Sequence, residues 1–330
     1  MMLNKNLKLN PNVFTDNIET RTIRDGFGEG ILIAGETNPN IMVLTADLSE
    51  STRVDKFRAR FPERFIECGI SEQNMIGVAS GLASCGKIPF VTSFAIFSPG
   101  RNWEQIRTTV CYNNVPVKII GSHAGINTGP DGATHQSLED IALMRVLPNM
   151  IVVCPCDALE ARKATLAAAE INQPVYLRLS RDKTPIITGE ETPFIIGRSE
   201  IVWESNNPKI LLISCGYLLY QTLVAAKFLD KEGIGTIVLN NHTLKPLDKD
   251  TIIEAARKCQ GVVAIEDHQI IGGLGSAVAE LLSQFLPRPQ EFVGIRDQFG
   301  ESGEPEELMK KFHLLSVDII AASQKLLKRI

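Results

Sequence analysis

The chain has 330 residues, 44% of them apolar, and its 34 basic and 38 acidic residues give a net charge of −4. The near balance of charge, without a long block of either sign, argues against a nucleic-acid-binding protein or a polybasic membrane anchor, and no apolar run reaches the ~20 residues of a membrane helix. Seven cysteines and no signal peptide predict free thiols and a cytoplasmic location.

Length alone predicts two domains, because 330 residues exceed what one hydrophobic core usually organises. Residues 1–18 are polar and asparagine-rich without periodicity, so we expect a loosely held tail. From there to residue 182, apolar runs alternate with apolar residues at helical spacing. The predicted strands are 41–46, 88–92, 117–121, 150–154 and 175–179, and the predicted helices are 21–37 and 103–112 together with those that begin at Ser71, Ser137 and Asp157.

The second half repeats this alternation after a proline-containing stretch, 183–207, which we interpret as a linker. Its predicted strands are 211–214, 235–240, 261–266 and 292–294, separated by helices at 218–232, 250–259 and 275–285. Alternating strands and helices are typical of parallel sheets covered on both faces. We therefore predict an α/β fold with two three-layer domains, 19–182 and 208–330, built on mostly parallel sheets.

The stretch from 65 to 83 is the most informative. A short apolar run ends at glycine, and Ser71 is predicted to cap a helix with Glu72 in its first turn. Gly77 and Gly81 inside that helix each cost about 1 kcal/mol relative to alanine, which indicates close packing against another surface. Four residues are predicted to form its buried face: Met75, Val78, Ala79 and Leu82.

Polar and aromatic side chains follow the predicted strands of the first half. Because the carboxyl ends of parallel strands share one edge of a sheet, residues far apart in sequence converge there, and open α/β sheets bind ligands at that edge. This placement predicts a functional site that includes two histidines, which can titrate near neutral pH. The candidates are Asp47, Ser51, Glu72, Phe94, Phe97, His123, Asp131, His135 and Arg181.

Several motifs, in order and spacing, resemble those of the transketolase family over roughly residues 18–330. In the last domain the family pattern is matched by Ile265-Glu266-Asp267-His268 and by Gly272-Gly273-Leu274-Gly275. The motifs of the first domain are Gly69-Ile70-Ser71-Glu72-Gln73-Asn74-Met75, Ser93-Phe94-Ala95-Ile96-Phe97, Gly129-Pro130-Asp131-Gly132-Ala133-Thr134-His135-Gln136 and Leu179-Ser180-Arg181. The resemblance implies a pyrimidine-binding domain followed by a transketolase-type C-terminal domain.

The family's diphosphate-binding domain, with its Gly-Asp-Gly segment, has no counterpart in this sequence. The chain thus resembles the C-terminal subunit of a split transketolase of the pentose phosphate pathway. The resemblance implies thiamine diphosphate as cofactor, Mg²⁺ or Ca²⁺ held mainly by a separate N-terminal subunit, and no metal ligand in this chain. It also implies a dimer of this chain within an α2β2 complex, with sugar phosphates as substrates.

The resemblance also implies roles for individual residues. Glu72 would keep the aminopyrimidine of the cofactor in its imino form, and His123 and His135 would steer protons at the reacting carbon. Cofactor-binding roles fall to Glu72, Asp47, Phe94, Phe97 and His135, and substrate-binding roles to Arg21, Ser51, His123, Asp131 and Arg181.

Three alternatives stay open at this point. A deoxyxylulose-phosphate synthase fragment and the β subunit of a 2-oxo acid dehydrogenase share the fold and a glutamate like Glu72. The combination of Arg21, Ser51, His123 and Arg181 suits a sugar phosphate and argues against the dehydrogenase subunit. A non-catalytic regulatory partner is the third alternative. Intact Glu72, Phe97, His135 and Arg181 weigh against it, because an inert subunit has no need of all four.

Overall fold

The structure is a computed structural model that describes residues 2–330. No helix in this range is both long and apolar enough to cross a membrane. The strands are β1 Met2–Leu3, β2 Thr20–Thr22, β3 Ile41–Thr45, β4 Phe65–Glu67, β5 Ile88–Phe94, β6 Lys118–Ser122, β7 Ile151–Val153, β8 Val175–Arg178, β9 Lys183–Pro185, β10 Glu200–Glu204, β11 Ile210–Ser214, β12 Thr236–Asn240, β13 Thr243–Lys245, β14 Gly261–Gln269 and β15 Gln290–Ile295. The helices are α1 Ile23–Thr37, α2 Asp55–Arg60, α3 Glu72–Ser84, α4 Trp103–Gln105, α5 Asp140–Arg145, α6 Ala158–Glu170, α7 Leu219–Lys231, α8 Lys249–Arg257, α9 Leu274–Phe285, α10 Pro305–Lys311 and α11 Ser316–Leu327.

The first sheet has the strand order β13-β7-β8-β6-β5-β3-β4. Its strands run parallel except β13, which comes from the second half of the chain and pairs antiparallel with β7. Every residue of β3, β6 and β8 is buried, as expected for a parallel sheet covered on both faces. The predicted α/β fold is therefore confirmed for this half.

The second sheet has the order β1-β10-β12-β11-β14-β15, with a parallel centre and two antiparallel strands at one edge. Alternate residues of its central strand enter different cores. Leu212 packs in the core that holds α7 and α11, whereas Ile213 packs in the core that holds α8 and α9. Helices therefore cover both faces, and the predicted second three-layer unit is confirmed.

The N-terminal segment is not the loosely held tail that its polar composition predicts. The backbone N–H of Asn10 donates to the carbonyl of Ile187 at 2.9 Å, and Val13 is fully buried. The ring of Phe14 lies edge-on to Trp203 with centroids 5.9 Å apart. Val13 and Phe14 show no periodicity, yet they are enough to anchor the segment where a neighbouring part of the chain offers an apolar surface. The prediction of a loosely held tail is therefore wrong. Met1 lies outside the described residues.

The stretch predicted as a linker, 183–207, contains two strands. β9 pairs antiparallel with β2 beside the first sheet, and β10 is an inner strand of the second sheet. These pairings add backbone hydrogen bonds where the sequence indicated only a connection. The predicted domain boundaries stay a prediction.

A buried aspartate of the second half fixes a loop of the first. Asp267 accepts hydrogen bonds from the backbone N–H of Ile126 at 3.1 Å and from the Tyr217 hydroxyl at 2.8 Å. Its backbone carbonyl accepts from Arg178 at 2.8 Å. Gly125 has φ +82°, and a Cβ there would lie 1.9 Å from the Asp267 carboxylate, so the close approach requires glycine. The loop that leads to His135 is thus positioned from the other domain.

Candidate active site

The carboxyl ends of the first sheet's strands bring the predicted site residues to one edge. The strands lie in the order β8, β6, β5, β3, β4, and each is followed at this edge by one or two candidates. Arg181 follows β8, His123 follows β6, Phe94 ends β5 with Phe97 just beyond it, Asp47 and Ser51 follow β3, and Glu72 follows β4.

Glu72 opens helix α3 with its side chain only 4% exposed. Both carboxylate oxygens accept from Nη1 of Arg101, at 3.0 and 3.2 Å. The Arg101 guanidinium also lies over the ring of Phe97, 4.1 Å from its centroid, and its side chain is half exposed. The buried carboxylate is therefore paired with a side chain that reaches the surface.

Next to Glu72 lies a buried amide with an unused acceptor. Nδ2 of Asn102 donates to the backbone carbonyl of Glu72 at 3.1 Å and to the hydroxyl of Ser98 at 3.1 Å. Within residues 2–330, Oδ1 of Asn102 has no hydrogen-bond partner although the residue is fully buried. An orphaned acceptor of this kind marks a place where a bound group can donate a hydrogen bond.

The start of α3 is predicted correctly, but two details of its environment differ. Ser71 does not cap the helix, because its hydroxyl donates to the Cys68 carbonyl at 2.7 Å instead. Met75 and Ala79 are buried as predicted, whereas Val78 and Leu82 are only half-buried. The helix is rotated relative to the predicted buried face, so Ile76, Ser80 and Ala83 complete that face.

The two glycines of α3 have no close neighbour in the described chain. A Cβ at Gly77 or Gly81 would meet nothing within 4 Å, and both residues are exposed. The close packing predicted from these glycines is thus not made within residues 2–330. The face of α3 that carries Gly77 and Gly81 is therefore uncovered, and Glu72 lies on the same helix.

Aromatic rings gather beside the carboxylate. Phe94 and Phe97 stack with centroids 5.8 Å apart, and the ring of His123 stacks on Phe94 at 3.8 Å. The ring of His135 stands edge-on to Phe97 at 5.4 Å. These four rings and Glu72 form a site for a flat ring that carries hydrogen-bond donors.

The ring nitrogens of His123 have defined roles. Nε2 lies 3.2 Å from Nη1 of Arg24, and Nδ1 lies 2.9 Å from the Ser122 hydroxyl. Arginine can only donate, so Nε2 accepts and the proton sits on Nδ1. Burial, followed by the charges of Arg24 and Arg181, lowers the pKa of His123 from 6.5 to about 2. His123 is therefore a neutral histidine at physiological pH.

We expect the imidazole of His123 to stay neutral throughout the range in which the protein is folded. Because its pKa is lower in the folded chain, protonation favours unfolding, so its contribution to stability is complete above about pH 6.5 and declines as the pH falls towards 2. Two-dimensional NMR of the histidine rings between pH 5 and 8 should show no titration of His123. A midpoint near 6.5 for His123 would contradict this assignment.

Three guanidinium groups surround His123. Arg24 donates to the Ser51 carbonyl at 2.9 Å, and Arg181 donates to the Thr128 carbonyl at 2.7 Å. Arg53 is neutralised by Asp25 at 2.7 Å, whereas within residues 2–330 Arg24 and Arg181 form no ion pair with a carboxylate. Burial, and next the charge of Arg53, lowers the pKa of Arg24, and its buried Nε has no partner in the described chain. The cluster is suited to an anionic group.

Sequence reasoning missed Arg24 and Arg101. Arg24 lies in the first turn of α1, where a cation opposes the helix dipole, and that unfavourable position was the available signal. Arg101 lies in a turn between β5 and α4 and follows no strand end directly. No pattern in the sequence connects it to Glu72, 29 residues earlier.

Three of the predicted site residues, Arg21, Asp47 and Asp131, lie outside the contacts described above. Arg21 forms an ion pair with Glu29, and within residues 2–330 no hydrogen bond joins it to the guanidinium cluster. Asp47 is exposed, with φ +59° and its backbone N–H bonded to Glu67 at 2.8 Å. Asp131 is exposed at the end of a 3₁₀ turn. Their predicted roles stay predictions.

Fold and site together define an α/β protein with aromatic, acidic and basic side chains gathered at the carboxyl edge of its first sheet. Residues 19–186 match the family model described as transketolase, pyrimidine binding domain, and residues 197–319 match the one described as transketolase, C-terminal domain. The chain therefore belongs to the transketolase family, as its motifs predicted.

Individual relatives agree with this assignment. The chain is 43% identical over 295 residues to a putative transketolase C-terminal section of Methanocaldococcus jannaschii, covering 88% of this chain and 92% of the relative. It is 37% identical over 316 residues to a 6-deoxy-6-sulfo-D-fructose transketolase subunit of Clostridium sp. (strain MSTE9), covering 96% and 98%. A solved structure described as a split gene transketolase, inactive beta4 tetramer, matches with a TM-score of 0.87 at 45% identity, covering 93% of this chain and 98% of that one.

Transketolase-family domains imply dependence on thiamine diphosphate, and the residues present fit its pyrimidine ring. Arg101 is itself a flat cation that stacks on Phe97 and donates to Glu72. An aminopyrimidine can make the same two kinds of contact, and Asn102, whose Oδ1 is unused, bonds through Nδ2 to the backbone carbonyl of Glu72. Arg101 thus marks a space with the shape and polarity that the ring requires.

Proposed function

We propose that this chain is the C-terminal subunit of a split, thiamine-diphosphate-dependent transketolase. It would transfer a two-carbon ketol unit from a ketose phosphate to an aldose phosphate. A separate N-terminal subunit would hold the diphosphate and its Mg²⁺ or Ca²⁺. The observation that carries the proposal is the buried carboxylate of Glu72, whose hydrogen-bond partner Arg101 is half exposed and lies over the ring of Phe97.

Each residue of the site has a task in this proposal. When bound, thiamine diphosphate would supply the nucleophilic carbon and store the carbanion. Glu72 would share a proton with the pyrimidine nitrogen once Arg101 moves aside. His123, neutral and accepting at Nε2, would receive a hydrogen bond from a sugar hydroxyl in place of Arg24. His135, half-buried at the rim, would exchange protons with the substrate.

The guanidinium cluster supports an anionic substrate. Arg24 and Arg181 carry positive charge that no carboxylate of residues 2–330 pairs with, and both lie next to His123. Guanidinium groups bind phosphate through paired N–H donors, and a sulfonate offers similar oxygen acceptors. We expect the charged end of the sugar to bind here. The relative that acts on a sulfo-sugar makes 6-deoxy-6-sulfofructose a second donor to assay beside sugar phosphates.

Assembly with other chains fits the open surface of α3. Gly77 and Gly81 leave a strip without side chains on the helix that carries Glu72. Because glycine has no side chain, another polypeptide could pack closely against this strip, on the helix that begins at the cofactor site. We therefore infer that a second copy of this chain completes the site, within an α2β2 complex with the N-terminal subunit.

Co-expression with a separate diphosphate-binding subunit tests the proposal. The purified complex, supplied with thiamine diphosphate and Mg²⁺, should form a new ketose phosphate from a ketose-phosphate donor and an aldose-phosphate acceptor. The chain alone should form none. Parallel assays with pyruvate and glyceraldehyde 3-phosphate, and with a 2-oxo acid plus an artificial electron acceptor, separate the two enzymatic alternatives.

The outcomes differ clearly. Activity only with pyruvate would identify a deoxyxylulose-phosphate synthase, and oxidative decarboxylation would identify a dehydrogenase subunit. A complex that forms but catalyses none of these reactions would favour the non-catalytic regulatory partner. Full ketol transfer by this polypeptide without any second subunit would overturn the split-enzyme proposal.

A further inference from the structure

A second cluster of ionisable groups lies away from the Glu72 site. It consists of Glu160 in α6, Glu200 at the first position of β10 and His242 just after β12. One ligand atom from each lies within 4.8 Å of the others, and this is the one such group of three among residues 2–330. Within the described residues, none of the three bonds to a residue of the predicted active site.

Glu160 is held rigidly in this cluster. Its Oε2 accepts from the backbone N–H of Cys156 at 2.6 Å, and its Oε1 accepts from Nδ2 of Asn240 at 2.7 Å. The residue is buried, so these bonds fix the direction of the carboxylate. Each oxygen keeps a second lone pair for a further ligand.

His242 is oriented in the manner of a metal-binding histidine. Nδ1 lies 2.9 Å from the Thr243 hydroxyl, and Nε2 points to Glu200 at 3.3 Å. If Nδ1–H donates to that hydroxyl, Nε2 can bind a cation in place of its present contact with Glu200. The ring of Phe194 covers the imidazole at 4.3 Å and excludes water from that side.

One oxygen of the cluster lacks a partner. The side chain of Glu200 is 10% exposed, and its Oε1 shares a hydrogen bond with Nε2 of His242 at 3.3 Å. Within residues 2–330 its Oε2, which also lies 3.3 Å from Nε2, accepts no hydrogen bond. A buried carboxylate oxygen without a donor is costly, and such groups normally have a ligand or a proton. This atom points into the cluster and indicates a missing ligand there.

The charge balance points in the same direction. Two carboxylates face one imidazole, and the nearby ammonium group of Lys163 donates to backbone carbonyls of Gly189 and Thr192 instead. The cluster therefore has an excess of negative charge that a divalent cation would neutralise.

We propose that Glu160, Glu200 and His242 bind one divalent transition-metal ion, such as Mn²⁺ or Zn²⁺, at the junction of the two domains. Imidazole and carboxylate ligands suit these ions, and water would complete the coordination. α6 belongs to the first domain, whereas β10 and β12 belong to the second sheet. The ion would therefore tie the two domains together and has no part in the ketol transfer.

Titration of the metal-free full chain with MnCl2, followed by the EPR signal of free Mn²⁺, tests this site directly. We expect one Mn²⁺ per chain, displaced by one equivalent of ZnCl2, and a higher melting temperature when the metal is bound. Glu200→Gln and His242→Gln should each weaken binding by at least ~10–100-fold, the range for perturbed metal sites. Glu204→Gln, an exposed carboxylate on the same strand, is the matched control and should bind normally.

The wild-type titration decides the question even if a variant folds poorly. If the wild-type chain shows no saturable binding of Mn²⁺ or Zn²⁺, the proposal is wrong. Hydrogen bonds alone would then hold the cluster together. The same would follow if Glu200→Gln bound both ions with the affinity of the wild type. Loss of binding in both variants, with Glu204→Gln unchanged, would establish the site.

Discussion

Replacement of Glu72 by glutamine is expected to lower the turnover of the assembled enzyme by about 10²–10⁴-fold, the range for a lost acid–base group. Glutamine keeps the size of the side chain and its hydrogen-bonding capacity but cannot share a proton with a ring nitrogen. Glu72 lies at the start of α3, and its carboxylate bonds to a guanidinium that a pyrimidine would replace. The chemical effect should therefore exceed any effect on folding.

The measurement is the steady-state rate of ketol transfer by the complex with its N-terminal subunit, at saturating thiamine diphosphate. Glu104→Gln, an exposed carboxylate near the same site, is the control and should retain normal turnover. The melting temperature of each variant shows whether the chain remains folded. Turnover within a few-fold of the wild type for Glu72→Gln would remove Glu72 from the catalytic role.

Replacement of Arg181 by glutamine should lower kcat/KM for phosphorylated acceptors by roughly 10–100-fold. A charge-assisted hydrogen bond contributes ~1.5–3 kcal/mol, which corresponds to this range. Arg181 donates to the Thr128 carbonyl and adds to the positive potential at His123. Since the substrate's charged end is proposed to bind there, the loss should appear mainly in KM.

A comparison of acceptors with and without phosphate isolates this contribution. Unphosphorylated sugars should react with Arg181→Gln nearly as they do with the wild type. Lys183→Gln removes an exposed cation two residues away and serves as the control for net charge. An equal loss of kcat/KM for both kinds of acceptor would mean that Arg181 supports the loop structure rather than the anion.

The positions of most strands and helices could be predicted because they depend on residues that are neighbours in the sequence. The predicted strands of the first half lie within a residue or two of those in the structure, and Asp157 caps α6 through the N–H of Glu160 at 2.8 Å as predicted. Three helix predictions differ from the structure. Ser71 makes no side-chain cap of α3, and the helix predicted over 103–112 is α4 followed by a π-helix, Ile106–Cys111. The third is the helix predicted from a capping box at Ser137. That helix begins only at Asp140, because Glu139 bonds to the N–H of Leu138 instead.

The site was only partly predictable. Polar residues that follow strand ends identified the carboxyl edge, since strand direction in a parallel sheet fixes which residues share it. Contacts that depend on side-chain reach gave no such signal. Arg24 lies against His123 although 99 residues separate them, and Arg101 covers Glu72 from a neighbouring turn.

The sequence by itself determined the α/β class, the two domains, the family and the edge of the sheet where Glu72 lies. These features follow from periodicity and from short motifs, which are properties of neighbouring residues. Tertiary structure alone decided that residues 2–18 are packed, that β13 joins the other domain's sheet, and that Glu160, Glu200 and His242 meet. The physical reason is that burial and electrostatic pairing act across space, between segments whose separation along the chain carries no pattern.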